Sequence, residues 1–210
     1  MKAKLITGLA AAILISFSAT PAMAQVSEVR IGISEFDERT LKIPLSAQRA
    51  SENSAAVNFE ILFGTPKHLK WALSPKPYVG GTLNLEGKTS FGGTGLLWRQ
   101  RVNEKFYCDF AFGLVVHTGT KDIRLGRPIS EAEWVNGQGQ ARVDLFNGRF
   151  DSEIKFGSRV LFREQIALGY SIGDDWSGEL FLEHLSNAML LSSQRNDGAN
   201  NLGFRAVRKF

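Results

Sequence analysis

Long stretches of the chain alternate between apolar and polar or small residues with a period of two. From Phe106 onward, Phe106, Cys108, Phe110, Phe112, Leu114 and Val116 fall at even positions, against Tyr107, Asp109, Ala111, Gly113, Val115 and His117 at odd ones. Between 156 and 172 the even positions read Phe156, Ser158, Val160, Phe162, Glu164, Ile166, Leu168, Tyr170 and Ile172; the odd ones are mostly small or charged and include Arg159 and Arg163. Val57, Phe59, Ile61 and Phe63 oppose Asn58 and Glu60 in the same way. Successive side chains of a strand point to opposite faces, whereas a helix would scatter these residues around its circumference. The alternation predicts eight strands, near 27–34, 55–63, 76–85, 91–101, 105–118, 155–172, 175–187 and 200–210.

The connections differ in length. Residues 35–54, 119–154 and 188–199 are long and polar, 102–104 and 173–174 are short, and 64–75 and 86–90 lie between. An even strand count with short turns on one rim and longer loops on the other predicts an all-β, eight-stranded antiparallel transmembrane β-barrel of the bacterial outer membrane. The last strand alternates through Leu202, Phe204 and Ala206 and ends on Phe210, and a terminal aromatic resembles the assembly signal of such proteins. A soluble barrel of lipocalin type, with its apolar face inward, is the competing architecture; the loop asymmetry and Phe210 favour the membrane. An eight-stranded barrel is too narrow for an aqueous pore, which argues against a porin. In the membrane barrel Phe110, Phe112, Phe162, Ile166 and Leu180 face lipid, while Asp109, Arg159 and Arg163 line the interior. Asp109, Glu60 and Glu179 are the acids available to pair with the interior arginines. The reverse arrangement would cost about 2–4 kcal/mol for each Arg held at mid-depth of the lipid face.

The N-terminus changes the picture further. Lys2 and Lys4 precede an apolar stretch from Leu5 to Phe17, and Ala22-Met23-Ala24 supplies a small-residue cleavage pattern before Gln25. The stretch is shorter than the roughly 20 residues of a spanning helix. Residues 1–24 read as a secretory signal peptide and 25–210 as the barrel. With 43% hydrophobic residues and 15 Phe, the composition is not that of a disordered chain. The net charge of +4 drops to about +2 without the two signal lysines, too little to argue for nucleic acid. One Cys excludes an internal disulfide and a multi-cysteine zinc site. No metal-ligand cluster, phosphate-cradling glycine loop or redox motif is present, so neither metal nor cofactor is expected.

Of the three His, His68 reads as a solvated turn residue beside Lys67 and Lys70, and His117 as the end of a strand at an interface. His184 differs in its company, Glu183-His184-Leu185-Ser186-Asn187. Along the seventh strand Trp176, Gly178, Leu180, Leu182, His184 and Ser186 share one face, and i, i+2 neighbours on a strand stand roughly 6–7 Å apart. That brings a hydroxyl toward an imidazole, the arrangement by which a base activates a serine nucleophile. The alternative is that both residues simply sit among lipid head groups, where polar side chains are free. Rising from a short turn at 173–174, the strand reaches His184 after about 23 Å, near the outer edge of the apolar band.

The string Leu182-Glu183-His184-Leu185-Ser186-Asn187-Ala188, followed by Asn196-Asp197-Gly198 and an alternating final strand, resembles the lipid A 3-O-deacylase family of PagL type. The run from Gly157 to Glu164 is similar to the strand that precedes the motif there. The resemblance implies an outer-membrane esterase that removes an ester-linked acyl chain from lipid A of lipopolysaccharide. Ser186 would be the nucleophile, His184 the general base, and Asn187 or Asn196 the donor to the oxyanion. Where the family carries the acid of its Ser-His-Glu triad, this chain has Asn200, which shares parity with Leu202 and Phe204. An Asn orients an imidazole and fixes its tautomer without lending a full charge. Glu183 has the parity of the barrel interior. The partners implied are outer-leaflet lipid A and, for assembly, a homodimer; the loop bases Lys121, Arg124, Arg127 and Arg195 are candidates for lipid A phosphates. A non-catalytic surface barrel is the rival function, separated by whether ester cleavage depends on Ser186.

Overall fold

The structure, a computed structural model, describes residues 25–36, 52–122, 127–191 and 196–210. The expected signal peptide and the loop residues Arg124 and Arg195 lie outside these residues. The described residues form eight strands: β1 Val26–Phe36, β2 Ser54–Phe63, β3 Lys76–Asn84, β4 Phe91–Arg101, β5 Phe106–His117, β6 Val160–Ser171, β7 Trp176–Ser186 and β8 Ala199–Lys209. Every neighbour pair is antiparallel, and β1 pairs with β8 through Ile31 opposite Ala206, so the sheet closes into a barrel. Closure matters in a bilayer, since an open edge would leave backbone groups unsatisfied in hydrocarbon.

Alternation sets the two faces. Phe110, Phe112, Ile166, Leu180 and Phe204 are exposed on the outer surface, with Phe162 half-buried beside them. Asp109 and Arg163 are buried inside, together with Arg30, Glu28, Glu60, Glu179, Glu183 and Arg205. Arg30 meets Asp109 at 2.8 Å, Arg205 meets Glu60 at 2.9 Å, and Arg99 meets Asp109 at 2.7 Å and Glu28 at 2.9 Å. Arg163 is clamped between Glu60 and Glu183, and Tyr107 donates to Glu179 at 2.8 Å. The acids expected to neutralise the interior, Asp109, Glu60 and Glu179, do so. Two inward tyrosines lie where glycines make room: a Cβ at Gly169 would enter the Tyr107 ring, and one at Gly113 would strike the Tyr78 hydroxyl.

Arg159 corrects the expectation that it lines the interior, and the strand boundary explains why. β6 begins at Val160, not near 155. Arg159 is exposed on the rim and donates to the His117 carbonyl at 2.7 Å and the Gly119 carbonyl at 2.9 Å. The segment before it folds over the barrel mouth. Ile154 and Phe156 are fully buried with Phe36, Phe91, Val115, Leu161 and Leu185, an apolar plug above the charged interior. Phe156, expected on the lipid face, thus points inward and packs on the His117 ring at 4.5 Å. His117 is itself an inward residue, its Nε2 2.7 Å from the Ser158 carbonyl. The 119–154 connection, expected as a polar loop, holds two helices, α1 Glu131–Val135 and α2 Gln138–Ser152. His68 is exposed in a short 3-10 helix, Lys67–Ala72.

Candidate active site

The site lies at the outer end of β7, where two neighbouring strands bring polar residues to its flanks. The register sets Glu164 of β6 opposite His184, and His184 opposite Asn200 of β8. All three project from the outer face, on which Leu182 and Leu202 continue toward the membrane centre. His184 Nδ1 lies 2.7 Å from Asn200 Oδ1. Since that oxygen only accepts, Nδ1 carries a proton, and in the neutral imidazole Nε2 is the atom that accepts.

Ser186 ends β7, two residues on and on the same face. It is 9% exposed. No hydrogen bond joins Ser186 to His184 among the described residues; their relation is that of i, i+2 neighbours above one strand. Asn200 is almost wholly buried, 3% exposed, which fixes its amide against His184.

Immediately after Ser186 the chain turns sharply. Ala188 and Met189 have φ of 51° and 55°, the left-handed region that disfavours side chains. Asn187 holds this turn. Its Oδ1 accepts from Met189 N–H at 2.6 Å, its carbonyl accepts from Leu190 N–H at 3.1 Å, and its Nδ2 donates to the Phe156 carbonyl at 2.7 Å. Asn196 Oδ1 accepts from the Asn187 N–H at 3.1 Å, tying the two ends of the loop. Behind them the buried pair Lys155 and Asp197, 3.3 Å apart, anchors the plug to the loop. Of the two asparagines expected at the oxyanion, Asn187 spends its Oδ1 on the turn and its Nδ2 on the Phe156 carbonyl, whereas Asn196 engages its oxygen at the Asn187 N–H.

Sequence reasoning named His184, Ser186 and Asn200 and the structure gathers them. It passed over Glu164, though an acid in the run Phe162-Arg163-Glu164-Gln165-Ile166 shares parity with the greasy face. A hollow of about 600 Å³ on the lipid face is lined by Ile31, Leu168, Trp176, Leu180 and Phe204, and lies nearer the opposite rim.

An eight-stranded barrel with an apolar outer belt, carrying a His, a Ser and an Asn together on that belt near one rim, defines the class: an outer-membrane β-barrel protein. The model of the family "Lipid A 3-O-deacylase (PagL)" matches residues 55–208, and the chain belongs to that family. The crystal structure of the outer membrane enzyme PagL is similar to it at a TM-score of 0.55 and 11% identity, covering 88% of this chain and 100% of that one. The crystal structure of Neisserial surface protein A matches at a TM-score of 0.46 and 8% identity, covering 87% of this chain and 96% of that one. No curated protein sequence matches the chain.

Proposed function

We propose that the protein is an esterase that removes an ester-linked acyl chain from lipid A in the outer leaflet, by nucleophilic attack of Ser186. The observation that carries this reading is the His184–Asn200 hydrogen bond on the lipid face, which engages Nδ1 and makes Nε2 the accepting atom of the neutral ring, on the face it shares with Ser186. Family membership supplies the substrate class.

In the first step Nε2 takes the Ser186 proton as Oγ bonds to the ester carbonyl carbon, and the carbonyl oxygen becomes an oxyanion. Asn196 Nδ2 is the donor for that oxygen, since its Oδ1 is the atom engaged by the loop. The ester C–O bond then breaks, and the imidazolium returns the proton to the sugar hydroxyl that leaves. Water, deprotonated by His184, releases the fatty acid from Ser186. The buried flank given by Asn200 limits rotation of the imidazole, an orientation effect realised in the transition state.

The exposed apolar residues Met189, Leu190 and Leu191 lie three to five residues after the nucleophile. They suit a site that receives its substrate sideways from the membrane. The test is mass spectrometry of lipid A exposed to the purified barrel in detergent. Loss of one acyl chain that disappears in Ser186→Ala supports the reading; equal loss with Ser186→Ala, or none with the parent, overturns it. The signal peptide over 1–24 belongs to the same proposal, and N-terminal sequencing of the exported protein at Gln25 checks it.

A further inference from the structure

The outer face of β5, β6 and β7 holds a carboxyl group whose neighbours are apolar on three sides. Glu164 sits opposite Phe112 on β5 and between Phe162 and Ile166 on its own strand face; its fourth neighbour is His184, directly opposite on β7. Phe112 and Phe162 stack on one another at 5.7 Å and wall the group on that side. One carboxyl oxygen, Oε2, is buried from solvent and has no hydrogen-bond partner. Inside the same barrel, by contrast, Glu60, Glu179 and Glu183 each meet an arginine. An acid on a lipid-facing stripe is costly, and residues of that kind mark function.

We propose that Glu164 is the acidic partner of His184, so that the negative charge of the site comes from β6 while Asn200 on β8 fixes the tautomer. This rests on the reading of Ser186 and His184 as an acyl-transfer pair. Directly opposed residues of an antiparallel pair have Cβ atoms about 4.5–5.5 Å apart, close enough for a carboxylate to stabilise an imidazolium through a medium of low dielectric. The proton that leaves Ser186 creates that imidazolium, so the charge acts in the transition state and not on bound substrate. Glu164 is a positioning residue and touches neither the ester nor Ser186. Among the described residues, Leu182 and Leu202 flank His184 and Asn200 on this face, and Arg163 and Glu183 point to the interior.

The purified barrel in detergent micelles tests this with two readouts: the rate at which a fluorophosphonate labels Ser186, and lipid A deacylation. Glu164→Gln should slow both about 10- to 100-fold, through kcat with KM unchanged. Glu164→Asp should keep most of the rate. Asn200→Glu added to Glu164→Gln should return it to within a few-fold of the parent, a rescue that a packing role would not give. Asn200→Glu alone should give no tenfold gain in labelling, because Glu164 already supplies His184 with its charge. The proposal is overturned if folded Glu164→Gln labels like the parent, if Asn200→Glu fails to rescue it, or if Asn200→Glu alone accelerates labelling tenfold. It is also overturned if Ser186 of the parent does not label. A parent that labels but leaves lipid A intact sinks the substrate reading only, and labelling then decides the role of Glu164.

Discussion

The two faces of one strand show how this barrel handles charge in opposite ways. On the inner face of β7, Glu179 and Glu183 are buried and each is bonded: Glu179 to Arg205 and Tyr107, Glu183 to Arg163 and Asn201. On the outer face of the same strand His184 has an amide on one flank and, on the other, an acid with an unbonded buried oxygen. Both sets are removed from water, and both would be expensive if left unmatched. The interior answers the expense of its carboxylates with salt bridges to Arg30, Arg99, Arg163 and Arg205, which fix their geometry. Among the described residues the outer set leaves capacity unspent: the Ser186 hydroxyl and one Glu164 carboxyl oxygen have no hydrogen-bond partner there. Each interior carboxylate named here meets a cation, whereas the acid beside His184 has no arginine or lysine opposite it in the register.

That contrast is broken most directly at the nucleophile and its base. Ser186→Ala or His184→Ala should lower deacylation by at least about 10³-fold, since a nucleophile and its base act as a unit. Ser186→Ala should leave stability unchanged, because the Ser186 hydroxyl makes no hydrogen bond among the described residues. Urea titration of the barrel in micelles, set beside mass spectrometry of lipid A, reads both. A Ser186→Ala barrel that loses stability would place Ser186 with the structural set.

The interior should behave the other way. Arg163→Ala takes the cation from Glu183 and one of the cations from Glu60, which keeps Arg205, and removing one partner of a buried ion pair costs about 3–5 kcal/mol. The expected result is a urea midpoint shifted by that much, with the residual folded protein retaining its specific activity. Asn187→Ala belongs between the two sets. It releases the turn at Ala188 and Met189 and the tie to Phe156, so activity should fall several-fold through loop disorder while the barrel midpoint moves by less than about 1.5 kcal/mol.

How much of this was legible beforehand follows from period two. Alternation assigned the lipid face of Phe110, Ile166 and Leu180 and the interior of Asp109 and Arg163, because a strand has no other way to place neighbours. It failed at Phe156 and Arg159, where the greasy-then-small pattern continues after the strand has ended. There the long-range burial of Ile154 and Phe156 under the barrel mouth overrode the local signal. The helices in 119–154 had a signal that went unused: Ser130 and Glu133 form a capping box, with Ser130 accepting from the Glu133 N–H. His184, Ser186 and Asn200 were legible as a motif and a shared parity. Glu164 was not, because its significance depends on the register that sets it opposite His184, and register is a property of two strands.

Asn200→Ala sharpens the outer set by a smaller step. It removes the acceptor that holds His184 Nδ1–H at 2.7 Å but no charge, so loss of one orienting hydrogen bond should slow deacylation about tenfold. Steady-state kinetics should show the change in kcat. A loss as large as that of His184→Ala would mean that Asn200 does more than orient.

The smallest effect expected lies outside the membrane, where acid separates the loop helices from the barrel. Glu133 accepts from Arg127 at 2.7 Å and from Arg142 at 3.0 Å, and closes the capping box at Ser130. Its pKa is lowered, chiefly by the hydrogen bond from Arg127. Glu153 at the end of α2 is lowered as well, chiefly by the hydrogen bond from Arg149. A carboxyl held below its ordinary value of 4.5 stabilises the folded form above that value, and the contribution is lost as pH falls through the lowered pKa. From pH 7 to 5, therefore, the α1–α2 segment should be unchanged. Below about pH 4.5 it should loosen progressively, because Glu133 and Glu153 take up protons and release Arg127, Arg142 and Arg149. Hydrogen exchange of residues 131–152 against pH, with the strands as internal reference, is the measurement. Glu133→Gln should remove most of the dependence around α1 while leaving that around Glu153. Exchange in β6 and β7 that rises in step with α1 would show that the loop helices and the barrel unfold together, and would erase the difference between the ion-paired interior and the exposed loops.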